Sequence, residues 1–293
     1  MKRSVGRFIP RGKNFTGIIP WLQWLGGVSL LVGWVAVAAG NPAAAAQRPL
    51  VVAVASNFAL SAERLGSEFS ADQGVPVEWI VGSTGLLYSQ IVSGLPVDLL
   101  LAADVARPRL LVEQGMASEA SLSVYALGRL ALWVPGAEGT LEPVDYLKAA
   151  SMLAIANPRL APYGLAAEAY LSHLEGGRGA PKRVLGQNVA TAFAQVASGA
   201  APAGLVALSQ LLESNVPASE YAVVPDDAHP AIEQALVLTQ RGAAQAAARQ
   251  FRDFLLSSDV AQRLEAWGYG APAGSIGILS PSATNPAQST RVW

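Results

Sequence analysis

Residues 50–55 read LVVAVA, an uninterrupted apolar run that gives way to the polar pair Ser56-Asn57. A Val-rich run of this length predicts a strand buried on both faces. Beyond it Phe58, Ala62, Leu65 and Phe69 recur at helical spacing up to Gly74, which predicts an amphipathic helix closed by a glycine. The same alternation continues. Residues 75–81 (VPVEWIV) read as a strand ending at Gly82-Ser83-Thr84-Gly85, and 86–93 as a helix with Leu87 and Ile91 four apart. Residues 98–103 (DLLLAA) read as a buried strand stopping at Asp104, followed by a helix over 107–114. Residues 125–135 (YALGRLALWVP) predict one strand leading out of this unit. Then come a short strand at 154–156, the loop NPRLAPYG at 157–164 and a helix over 165–174. Gly186-Gln187-Asn188 precede a helical pattern that ends at Gly199, and 203–208 and 221–224 are strand-like. The strand 234–239 (QALVLT) and helices over 243–257 and 260–267 complete the pattern.

Short buried strands alternating with amphipathic helices predict an α/β architecture. The strands at 129–134 and 234–239 bracket a long stretch with its own α/β pattern. This organisation suits a second lobe inserted into the first: 47–129 with 237–275 as lobe I and 130–236 as lobe II, joined by two crossing strands. Residues 276–293 are rich in Ser, Pro and Ala and are expected to form a disordered tail. Polar turns fall before predicted helices at Ser56-Asn57, Ser83-Thr84, Pro162-Tyr163-Gly164 and Asn188-Val189, two in each lobe. Ligands of open α/β sheets bind at the carboxyl ends of strands, and clefts between lobes are favoured sites. A polar residue at such a junction can simply cap its helix, and Ser56 and Asn57 are suitable N-caps. The same junctions also aim free N–H groups and a positive dipole end above the sheet, which favours an anion.

The N-terminus narrows the compartment. Lys2, Arg3, Arg7, Arg11 and Lys13 precede a mostly apolar run over 25–39 and the small residues Ala44-Ala45-Ala46, the layout of an export signal cleaved near Ala46. Retention of 21–39 as a membrane anchor is the alternative. Without those five basic residues, the 20 Lys and Arg of the chain fall to 15 against 21 Asp and Glu, a net of −6. Nucleic acid and anionic membranes are poor partners for such a surface. The chain contains no cysteine, which excludes a lipidated N-terminal Cys, thiol nucleophiles, Fe–S clusters and Cys-based zinc sites. Its two histidines, His173 and His229, are far apart in sequence, so a His-rich metal site is not available.

Catalytic signatures are lacking as well. The turn at 82–85 lacks the Lys and spacing of a phosphate-binding loop, and neither a GxSxG elbow nor an HExxH helix occurs. Asp226-Asp227 reads as a solvated pair, and Asp98 and Asp104 as local caps flanking a strand. What is left is a set of neutral donors at helix starts facing a cleft, a binding site without covalent chemistry. Several such donors can hold a compact dianion, each charge-assisted bond contributing roughly 1.5–3 kcal/mol.

At these turns the sequence resembles the periplasmic molybdate/tungstate-binding proteins that feed ABC importers. The matching stretches are VAVASNF (52–58), GSTGLLYSQI (82–91), DLLLAAD (98–104), NPRLAPYG (157–164), GQNVATA (186–192), GLVALSQ (204–210) and WGYG (267–270). The resemblance implies a two-lobed type II periplasmic binding protein, each lobe a sheet flanked by helices. It implies capture of molybdate or tungstate as the oxyanion, with no direct metal ligand and no cofactor. It further implies a monomer in the periplasm that delivers its cargo to an ABC transporter permease in the inner membrane. Carried over, the oxyanion would be held by Ser56 and Asn57, by Ser83 or Thr84, which the alignment does not separate, and by Tyr163 and Val189 through their N–H groups. Some members carry a Tyr in the GLVALSQ motif where this chain has Ala207, and the Tyr163 hydroxyl is then a candidate replacement. The rival readings are a binder of sulfate, phosphate or another small solute, an exported enzyme, and a membrane-tethered sensor.

Overall fold

The computed structural model describes residues 48–138, 142–174 and 181–272; the expected signal segment, the alternative anchor and the expected tail lie outside them. Two five-stranded sheets flanked by helices make up the molecule. The first is ordered β2-β1-β3-β10-β4, from β1 (Leu50–Ala55), β2 (Val77–Gly82), β3 (Leu99–Ala102), β4 (Ser123–Gly128) and β10 (Ile232–Leu238). The second is ordered β7-β6-β8-β5-β9, from β5 (Leu130–Trp133), β6 (Met152–Ala156), β7 (Lys182–Gly186), β8 (Gly204–Ala207) and β9 (Tyr221–Val223). In each sheet three neighbouring strands run parallel, while β10 in the first and β5 in the second run antiparallel to their neighbours.

The burial of β1 explains its unbroken apolar run. Leu50, Val52 and Val54 face a core with Phe58, Leu65, Phe69 and Phe251, whereas Ala53 faces the opposite core with Leu87, Leu100 and Val237. With a side-chain period of two, both faces must be apolar when helices cover both sides. The helix α1 (Ala59–Gln73) then ends on Gly74, whose φ of 67° is the left-handed conformation that glycine adopts without a Cβ penalty.

Three expectations are corrected. Residues 125–135 form two strands, not one: β4 ends at Gly128 in the first sheet, and β5 begins at Leu130 in the second. Apolar periodicity cannot see this break, because the run stays apolar on both sides while the sheet changes. The N-cap of α1 is Phe58, with no side-chain cap bond, so neither Ser56 nor Asn57 caps that helix. The helix α5 starts at Pro162, three residues before the expected 165, and spans Pro162–Leu174, in keeping with the preference for Pro at a first helical position. The sequence pattern also left out β7, the helix α4 (Pro143–Ala149) and the single-turn helices α7 (Leu208–Glu213) and α8 (Gln240–Ala243), segments too short or too polar to show a period.

The helix α7 joins the halves behind the sheets. Ser61 on α1 donates to Glu213 Oε1 at 2.7 Å, and Tyr269 Oη lies 3.3 Å from Ser61 Oγ. Burial pushes the Glu213 carboxyl up from its ordinary value, opposed by the Ser61 hydroxyl and the charge of Arg64. The folded state therefore favours the protonated carboxyl, and this contribution to stability is lost as pH rises through the raised value. Glu213→Gln, which keeps the acceptor, should match the parent in thermal melts at acid pH and exceed its melting temperature at pH 8. Equal melting temperatures at both pH values would show that the buried carboxylate costs nothing.

Candidate functional site

The carboxyl ends of the parallel strands in the two sheets face one another across a small cleft. It is lined by Ala55, Ser56 and Asn57 after β1, by Gly82, Ser83 and Thr84 after β2, and by Ala103 after β3. From the other sheet come Ala161, Pro162 and Tyr163 after β6, and Asn188 and Val189 after β7. All six residues expected at the site thus line one cleft, although up to 133 positions separate Ser56 from Val189 in the chain. The cleft is narrow, with room in this conformation for about one water-sized group. A larger, shallow groove beside Gly66, Ser70, Pro76 and Trp79 lacks convergent donors.

Each turn is built so that donors remain free. In the first, Ser56 N–H is taken by Gly82 O at 2.9 Å, but the N–H of Asn57 has no acceptor among the described residues. The Asn57 side chain uses one of its two N–H groups on Gln234 Oε1 at 2.7 Å, and the Asn57 backbone carbonyl accepts from Tyr269 Oη at 3.0 Å. The turn is therefore pinned from behind by Gln234 and Tyr269. Tyr125 Oη also donates to Gln234 Oε1, at 3.3 Å. The sequence reading missed this support, and the one available signal was a polar residue opening the apolar strand QALVLT.

The second turn separates the roles of its two hydroxyls. Thr84 Oγ1 accepts from Ala103 N–H at 3.0 Å, whereas Ser83 Oγ is buried with no partner among the described residues. The helix α2 (Thr84–Val92) starts here without a side-chain cap, leaving the Ser83 and Thr84 N–H groups free. In the fourth turn Asn188 does cap: its Oδ1 accepts from Thr191 N–H at 2.9 Å, and α6 (Val189–Ala197) follows with the Val189 N–H unbonded.

Tyr163 lines the cleft from the second sheet's side. It sits in the first turn of α5, 2 % exposed, and among the described residues neither its N–H nor its hydroxyl has a partner in hydrogen-bonding geometry. Burial pushes its ionisation well above the ordinary tyrosine value, against weaker opposing effects of the Arg129 backbone and the Asn57 side chain nearby. The hydroxyl is accordingly neutral and a donor. It rests in a notch where Gly128 has no side chain: a Cβ there would lie 2.4 Å from Tyr163 Oη. Ala207, the departure noted above, pairs with Leu130 just across the crossover from Gly128, so Tyr163 Oη lies near the strand end that lacks a tyrosine.

No charged side chain lines the cleft. Among the described residues no group of three His, Cys, Asp or Glu is placed to hold a metal ion. His229 is mostly buried, its Nδ1 2.9 Å from Pro230 O, and Asp226 reaches Arg129 at 3.7 Å; neither lines the cleft. The arrangement presents uncharged N–H and O–H donors at helix starts, a geometry that stabilises negative charge without supplying a nucleophile or base.

Comparison with known proteins agrees with this geometry. The family model of bacterial extracellular solute-binding proteins matches residues 50–270. The chain is 36 % identical over 230 residues to the molybdate-binding protein ModA of Rhodobacter capsulatus, covering 78 % of this chain and 90 % of that one. It is likewise 36 % identical over 241 residues to the protein of the same name from Azotobacter vinelandii, covering 80 % and 96 %. Among solved structures, the periplasmic molybdate-binding protein of Azotobacter vinelandii superposes with a TM-score of 0.69 at 33 % identity, covering 76 % of this chain and all of that one. These relatives are all named as molybdate-binding proteins. The two facing sheets, the donor-lined cleft and this similarity place the chain in the family of bacterial extracellular solute-binding proteins, among the relatives of molybdate-binding ModA.

Proposed function

We propose that the protein captures molybdate, and tungstate with it, as the intact oxyanion in the cleft between its two sheets and delivers it to an ABC transporter permease. The observation that carries this reading is the set of buried donors without acceptors: the hydroxyls of Ser83 and Tyr163 and the N–H groups of Asn57, Thr84, Tyr163 and Val189. An unsatisfied buried polar group costs about 1–3 kcal/mol, and an anion seated among them relieves several such costs together. With only donors around it, a protonated anion would set its own O–H against another donor, so the site favours fully ionised tetrahedral anions. In this reading the second turn supplies the Ser83 hydroxyl together with the Thr84 hydroxyl and N–H, since Thr84 Oγ1 accepts from Ala103 N–H and keeps its own O–H to donate. Ser56 and Asn57 close the first turn around the anion, and the Tyr163 hydroxyl stands in for the tyrosine missing at Ala207.

The two sheets with their helices act as lobes that move about the crossings at Arg129 and at 224–231. Export by the segment 1–46, a monomeric state and the absence of a cofactor belong to the same proposal. Isothermal titration of the protein lacking residues 1–46 against molybdate, tungstate, sulfate and phosphate at neutral pH tests it. One-to-one binding of the first two with little heat from the others is the expected result. Binding of sulfate or phosphate alone would keep the cleft but change its cargo, and silence with all four anions would overturn the oxyanion reading.

A further inference from the structure

The two halves touch directly at the rim of the cleft, through the turns that carry its donors. Gly85 N–H donates to Leu160 O at 2.9 Å. Gly85 directly follows Thr84, and Leu160 directly precedes the lining residues Ala161, Pro162 and Tyr163. On the other side, Ala190 N–H approaches Ser56 Oγ at 3.4 Å, again one residue from a lining position. The backbone at Gly85 is not in the left-handed region, so the turn itself does not require glycine. The approach does: a Cβ at Gly85 would lie 2.9 Å from Leu160 O, 3.3 Å from its Cα and 3.5 Å from its carbonyl carbon. These are backbone atoms, which cannot turn aside as a flexible side chain can.

From this geometry we infer that Gly85 is a specificity-determining residue: its contact with Leu160 is a hard stop that sets how far the lobes close, and so the size of anion the cleft accepts. The inference rests on the function proposed above. If the ligand alone set the gap, the lobes would close further on a smaller anion and hold it as well. A backbone-to-backbone stop prevents that. The donors after β2 and those in the first turn of α5 are held at one separation, and an anion too small to span it leaves donors on one side unsatisfied. Gly85 itself does not line the cleft, so its effect is exerted through spacing and not through a contact with the anion.

The test compares the parent with Gly85→Ala, using chromate and molybdate, tetrahedral dianions of increasing bond length, in isothermal titration. Alanine at this helical position leaves α2 intact, which a thermal melt checks. Holding the lobes apart should weaken molybdate by at least about tenfold and chromate by a larger factor. An unchanged molybdate affinity, or equal losses for the two anions, would overturn the inference. A second readout does not depend on any anion. The chain has no cysteine, so Glu113→Cys on the first lobe and Ala194→Cys on the second can carry a pair of spin labels. Without added ligand, the shortest distance populated by the parent should be lost in Gly85→Ala. If the parent binds neither anion, the proposed function fails. The distance then judges the stop by itself: a lengthened distance keeps it, and an unchanged one overturns it.

Discussion

Asp98→Ala is expected to lower stability by about 2–4 kcal/mol, or roughly 5–15 °C in melting temperature. The Asp98 side chain is fully buried at the start of β3, and three partners converge on it. Arg48 donates two parallel bonds at 2.8 and 2.7 Å, Val51 N–H donates at 2.9 Å, and Arg241 Nε lies 3.3 Å away. Bidentate guanidinium–carboxylate pairs are among the strongest ionic contacts in proteins. The carboxylate ties the entering chain at Arg48, the start of β1 and the turn of α8 to one point. Its removal orphans the Val51 N–H and leaves two guanidinium groups, which at 41 % and 35 % exposure recover part of the loss in water. That recovery places the figure at the lower end of what breaking a buried ion pair costs. Arg48→Ala, on the exposed side of the pair, should cost less. Thermal melts of both variants decide the matter: a drop of under about 2 °C for Asp98→Ala would show that the cluster contributes no net stability. Anion binding should survive in the folded fraction, because Asp98 does not line the cleft.

Val189→Pro should have the opposite profile, with a nearly unchanged melting temperature and a loss of anion affinity of roughly 10- to 150-fold, the equivalent of one charge-assisted bond. Val189 is the first residue of α6, where proline is well tolerated because that N–H has no helical acceptor. The preceding residue, Asn188, has φ −148° and ψ 177°, the extended conformation that a following proline requires. Asn188 can therefore keep its cap to Thr191. The substitution deletes one N–H at the cleft, puts ring carbons in its place and leaves the helix standing. Val189→Ala keeps the N–H and serves as the control, with affinity close to that of the parent. Titration with molybdate distinguishes them; equal affinity of the proline and alanine variants would remove Val189 from the binding set.

The asymmetry between these variants reflects how the molecule divides its polar groups. Those at Asp98 are satisfied within the chain and hold the fold together. Those at the cleft are left unsatisfied and are held in place by groups behind them, such as Gln234 and Tyr269 at the Asn57 turn. A site organised in this way gives up some stability of the ligand-free protein for affinity, since each free donor is a cost that only an acceptor removes.

By itself the sequence determined the elements and the chemistry at their ends. The run LVVAVA had to be a doubly covered strand, and Gly74 had to close the helix after it. A chain without cysteine, with two scattered histidines and no excess of basic residues, gave no sign of a metal centre, and the polar turns at its helix starts offered neutral donors for an anion. Those properties are local, fixed by side-chain period, backbone preference and residue type. Tertiary structure decided the rest. Gly128 and Leu130 lie within one apolar run yet belong to different sheets. Ser56 and Asn57, well suited as N-caps, do not cap the helix that follows them, because Phe58 takes that place and packs between Tyr125 and Tyr269. That the Thr84 hydroxyl is held from behind while that of Ser83 is not depends on where Ala103 N–H falls, and the need for glycine at position 85 depends on the approach of Leu160. Each of these outcomes turns on a partner distant in sequence, and periodicity carries no information about such pairings.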